Sequence, residues 1–180
     1  MPDSRSVVLS GESISQHASL LVSLLIRYNE IDSVRFRPGK AQLAFSFMVR
    51  QRYAEDDFQA FEQMVSSYLE TYSHLSGQRI GHLSVGSITL GEYTQVEVTR
   101  DAESLSREEL SLIISLIRQH FDTNLVVEAA VALRDDERLL QDELIDDILA
   151  DVRGEGPRQE LVGFRESGRV MVFTKNRSTN

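Results

Sequence analysis

The stretch Ser33-Val34-Arg35-Phe36-Arg37-Pro38-Gly39-Lys40-Ala41-Gln42-Leu43-Ala44-Phe45-Ser46-Phe47-Met48-Val49-Arg50 alternates apolar and polar residues on both sides of a Pro-Gly step. A period of two marks half-buried strands, and Pro-Gly supplies the turn between them. With Arg37 set opposite Lys40, one face collects Val34, Phe36, Ala41, Leu43, Phe45, Phe47 and Val49. The other collects Arg35, Arg37, Lys40, Gln42, Ala44, Ser46, Met48 and Arg50. The alternation survives the turn, as a one-sided antiparallel sheet requires.

Upstream of this hairpin, Ile14, Ala18, Leu21, Val22, Leu25 and Tyr28 recur at helical spacing, widened by Leu20 and Leu24, and Ser13 with Gln16 fits a capping box. Downstream, residues 54–75 predict a second helix with Phe58, Phe61, Val65, Tyr68, Leu69 and Tyr72 inward. A hairpin follows over 80–100, turning near Gly91, with Val96 and Val98 alternating against Glu97 and Thr99. Ser106-Arg107-Glu108-Glu109 reads as a capping box, stapled by Leu105 and Leu110, and opens a helix through Ile113, Ile114 and Ile117 to Phe121.

Leu125 to Leu133 has the apolar content of a buried strand. A fourth helix is expected over 137–152, with Leu140, Leu144, Ile145, Ile148, Leu149 and Val152 inward, stopped by Gly154-Glu155-Gly156-Pro157. The last hairpin pairs Leu161–Arg165 with Arg169–Thr174 across Ser167-Gly168, and the polar residues from Lys175 to Asn180 are expected to fray. Leu21–Arg27 and Leu112–Arg118 are alike in type, which we read as two similar buried helices rather than a duplicated unit. The second lacks a Pro-Gly hairpin after it.

The expected fold is therefore α+β: one domain over residues 1–180, about four helices on one face of a mainly antiparallel sheet built from hairpins, with 1–5 and 176–180 frayed. A chain of 180 residues with 41% apolar and 26% charged residues has the composition of a globular protein. Its length suffices for a core that needs no metal or disulfide.

Zero cysteine removes thiolate nucleophiles, Cys-containing zinc sites and iron–sulfur clusters. The apolar run Val7–Leu9 is too short for a signal peptide, and no stretch approaches the roughly 20 residues of a membrane helix, so a cytosolic location is expected. The formal charge of −9 argues against sequence-independent binding to a phosphate backbone. Residues 1–90 carry 8 basic and 9 acidic groups and residues 91–180 carry 11 and 19, so the excess sits in the second half.

Signatures of common chemistry are missing from the sequence. His17, His74, His82 and His120 include no pair four residues apart, as a two-ligand helical metal site needs. Gly81-His82-Leu83-Ser84-Val85-Gly86 lacks the upstream glycine of a nucleophile elbow and reads instead as a strand ending in small residues. Gly39-Lys40-Ala41 lacks the rest of a phosphate-binding loop.

Two charged features remain. Asp142 and Asp146, and likewise Glu143 and Asp147, stand four apart on the last helix, within a series running from Asp135, Asp136 and Glu137 to Asp151. Carboxylates so spaced can share a hard cation. One helix offers too few oxygens to hold it tightly, and a solvated or docking face is the plainer reading.

The opposite sign gathers in the hairpin, where Arg35, Arg37, Lys40, Arg50 and Arg52 fall in a run without an acidic residue between Asp32 and Glu55. This face lacks stacking aromatics, so nucleic-acid binding through 33–52 ranks last. The sequence thus favours a non-catalytic cytosolic interaction or regulatory module. It is expected to form a homodimer in which the basic hairpin face meets the acidic 142–151 helix of the other copy, with Met48 adding apolar contact, or to dock a protein partner. No catalytic residue, metal ligand or cofactor is assigned. The alternative is a small-ligand binder or enzyme whose polar groups converge only in the fold.

Overall fold

A computed structural model describes residues 8–9, 16–128, 133–152 and 159–175. The strands are β1 (Val8–Leu9), β2 (Ser33–Arg37), β3 (Gln42–Val49), β4 (Leu83–Leu90), β5 (Tyr93–Asp101), β6 (Glu160–Glu166) and β7 (Arg169–Lys175). The helices are α1 (Gln16–Arg27), α2 (Glu55–Ser76), α3 (Arg107–Phe121) and α4 (Asp135–Asp151). The seven strands make one sheet in the order β1-β7-β6-β2-β3-β5-β4. Every pairing is antiparallel except that of β1 with β7. This is the α+β arrangement that the alternating periods predict.

The first hairpin differs from expectation by two residues: Arg37 faces Gln42, and the turn takes all of Pro38 to Ala41, with Gly39 and Ala41 at positive φ. A shift of two keeps every residue of β3 on its expected face, because side chains alternate with that period. Val34, Phe36, Leu43, Phe45, Phe47 and Val49 therefore still enter the core, where Val96, Val98, Leu161 and Val172 join them from neighbouring strands. The last hairpin turns on Ser167 and Gly168, both at positive φ as a tight two-residue β-turn needs.

Helices cover this inner face. α1 lies across β2, β6 and β7, α2 lies on β4 and against α3, and α4 packs on α1 and α3. α1 comes close because β6 carries Gly163, where a Cβ would stand 3.1 Å from Leu25 Cδ1 and 3.2 Å from Leu21 Cβ. Its C-terminal carbonyls are satisfied from β6: the Arg165 guanidinium donates to the carbonyls of Leu25, Tyr28, Asn29 and Ile31.

Three local expectations are corrected. Leu125 to Glu128 do not form the start of a strand: Asp122–Asn124 form a 3₁₀ turn, Leu125 makes one antiparallel bridge to Val49, and Val126–Glu128 are irregular. β3 outruns β2 by only three residues, Phe47 to Val49, so its free margin has room for a single bridge before the sheet ends. Residues 129–132 of that segment lie outside the described residues, as do Ser13 of the expected first capping box and the 154–157 stop.

Leu140 and Leu144 of α4 and Tyr68 of α2 are exposed rather than inward. α4 uses a narrow stripe of Ile145, Ile148 and Leu149, and its half-buried flank is Asp142, turned toward α1 and α3. Lys175 belongs to β7, paired with Glu160, rather than to a tail.

Candidate interaction surface

The basic residues of the hairpin are distributed along the face of the sheet opposite the core. Arg35 and Arg37 stand on β2, facing Ala44 and Gln42 of β3. Arg37 Nη2 donates to Glu97 Oε1 on β5 at 2.9 Å, reaching over β3, and Arg35 Nε lies 3.5 Å from Glu160 Oε1 on β6. Ala44 and Ser46 are buried, small residues lying between the strands that carry these long side chains. Lys40 sits in the turn at one end of β3, whereas Arg50 and Arg52 follow its other end, eight strand residues or roughly 27 Å away. The Arg52 Nε–H donates to the Gly91 carbonyl at 2.7 Å. The five cations are thus spread over the length of the sheet.

The acidic helix residues divide into two pairs. Asp142 accepts from Arg27 Nε at 2.8 Å and lies 3.5 Å from Arg107 Nη1, and Asp146 accepts from Arg107 Nε at 3.0 Å. Glu143 and Asp147 point to solvent on the far side of α4. Among the described residues no group of three or more histidines and carboxylates is arranged to hold a metal ion, and no helix is long and apolar enough to cross a membrane.

Behind the sheet, Arg100 is fully buried. Its guanidinium forms a two-pronged pair with Glu109, at 3.0 Å for each prong, and also donates to the His82 carbonyl, Asp101 and Ser104. Burial lifts the Glu109 carboxyl above its ordinary range, with Arg100 opposing the rise. Burial also acts to raise Asp101, but the Ser104 hydroxyl, the His82 N–H and Arg100 together hold it below its ordinary value. This cluster ties the end of β5 to the first turn of α3. Ser106 caps that turn as expected, accepting from the Glu109 N–H, while the Glu109 carboxylate is committed to Arg100.

No family model matches this chain, nor does any curated protein or solved structure. The site therefore has to be read from its own geometry.

Sequence reasoning missed one part of the surface, the strand β4. It is the last strand of the sheet, with β5 on one side and, among the described residues, no strand on the other. All eight of its residues, Leu83-Ser84-Val85-Gly86-Ser87-Ile88-Thr89-Leu90, are uncharged, and none is proline. From Gly86 to Leu90 every residue is exposed, Ile88 at 60% and Leu90 at 47%, with Tyr93 of β5 exposed beside Leu90. Edge strands of monomeric proteins are ordinarily blunted by charge, proline or a bulge. The sequence did not single it out, since the interior strand β3, Gln42–Val49, is equally eight residues without charge.

A second concave site lies between the end of α1, α3 and the start of α4. It is a cleft of about 410 Å³ lined by Tyr28, Glu30, Ser111, Arg118 and Arg138, among others. Arg118 pairs with Glu30 at 3.1 Å, and the Tyr28 hydroxyl lies 3.4 Å from that of Ser111.

Proposed function

We propose that this protein is a non-catalytic interaction or regulatory module, acting in the cytosol and self-associating, that engages its partners by adding a strand to its sheet at β4. The observation that carries this reading is the eight-residue uncharged edge exposed from Gly86 to Leu90. Unpaired N–H and C=O groups along such an edge bind any extended backbone, and the exposed side chains select among sequences. The charged face suits the same role. Arg35 and Arg37 already have carboxylate neighbours within the chain, which leaves the uncharged margin as the surface with backbone bonds still to make.

The test is selection of short extended peptides against the protein, followed by hydrogen exchange with and without the selected peptide. Slower exchange in Leu83–Leu90, lost in Ile88→Lys, is the expected result. Binding that leaves those amides unchanged would count against it.

The cleft beside Arg118 and Arg138 supports a second reading, a site for a small anion. A rise in melting temperature with an anionic metabolite, abolished by Arg138→Ala, would favour that reading. Nucleic-acid binding through residues 33–52 stands third, because its cations are spread along the sheet and two are paired.

A further inference from the structure

The partner at β4 can be named from the strand's own side chains. We infer that β4 pairs antiparallel with β4 of a second copy about a two-fold axis at Ser87, joining two sheets into one; this rests on the edge-addition reading above.

Geometry restricts the choice of register. Two antiparallel edges related by a two-fold axis keep the same face of each sheet on the same side, so residues of like parity must stand opposite. The outer face of β4 carries Ser84, Gly86, Ile88 and Leu90, with Ile88 opposite Gln95 and Leu90 opposite Tyr93 of β5. That row is two small residues followed by two large ones.

Turned on itself about Ser87, the row sets each large residue against a small one: Ile88 opposite Gly86 and Leu90 opposite Ser84 of the other copy, twice by symmetry. The space this needs is present, because a Cβ built on Gly86 meets no atom within 4 Å. On the inner face, Val85 comes opposite Thr89 of the other copy, a pairing of β-branched side chains suited to strands.

Charge argues for the same contact. Two copies carry −9 each and repel, and β4 is an eight-residue stretch where they can meet without opposing any like charge. The far margin of the sheet offers no equivalent, since the outer side of β7 is already paired with β1 at Met171 and Val172.

The absence of cysteine makes a direct test possible, because a single introduced thiol can cross-link only to its copy. Residues directly opposite in an antiparallel pair have Cα atoms about 4.5–5.5 Å apart, within disulfide reach. Ser87→Cys should therefore form a covalent dimer under mild oxidation. Ser84→Cys, exposed on the same strand but roughly 20 Å from its copy in this register, should not.

Light scattering should give a dimer at tens of micromolar protein, and Ile88→Lys should weaken it at least tenfold while leaving the circular dichroism spectrum unchanged. A monomer at that concentration overturns the inference, as does a dimer that Ile88→Lys leaves intact and Ser87→Cys fails to cross-link. In either case, selected peptides that still slow exchange in Leu83–Leu90 would show that edge addition holds and only the choice of partner was wrong.

Discussion

His17 lies in the core at 7% exposure, its ring centroid 4.5 Å from that of Phe36, and its Nε2 is buried with no hydrogen-bond partner among the described residues. Burial holds its pKa below the ordinary value, since a buried imidazolium has lost its hydration. The unfolded chain therefore takes up a proton near pH 6.5 that the folded chain resists. Stability is unaffected above that pH and is lost as pH falls through it toward the folded value, with a slope of at most about 1.4 kcal/mol per pH unit for one proton. Urea titrations at pH 7.5 and 5.5 should show a smaller acid loss in His17→Leu than in the parent. Equal losses would place the acid sensitivity elsewhere.

Arg100 illustrates what a single residue concealed. Strand alternation places Arg100 on the same face as Val96 and Val98, so its inward position was legible. Its partner was not, because Glu109 reads as the reciprocal half of a cap and only the fold brings its carboxylate to the guanidinium.

At the scale of elements, the close approach of α1 to β6 runs through Gly163. Gly163→Val would drive methyl groups into Leu21 and Leu25 of α1. A loss of about 1–3 kcal/mol is expected from such overpacking, read as a lower urea midpoint. An unchanged midpoint would mean that α1 can lift from β6 freely.

Elements whose period matched their surroundings were legible, as in β2 and β3, where even a turn longer by two residues preserved the faces. Elements whose neighbours set their fate were not. Leu125 has strand chemistry but meets a margin of β3 that admits one bridge, and Leu140 and Leu144 continue an apolar stripe beyond the part of α4 that has a neighbour to cover it. The edge at β4 belongs to the same class, since strand order is decided by distant pairings and a hairpin alone does not say which of its sides is left bare.

Over the whole molecule, the two margins of the sheet are unlike: β1 runs along β7 at one end, and β4 has no outer neighbour strand among the described residues at the other. In the vocabulary of polymer chemistry, the pairing inferred for β4 makes the protein monofunctional. A unit with one reactive end can couple once and then stops, whereas a unit with two grows without limit, so on that inference the short β1 would act as a chain terminator. Deleting residues 1–9 should convert the protein into a bifunctional unit whose light-scattering mass rises with concentration past that of a pair. Adding Ile88→Lys to the deletion should return it to a small species by closing the other end.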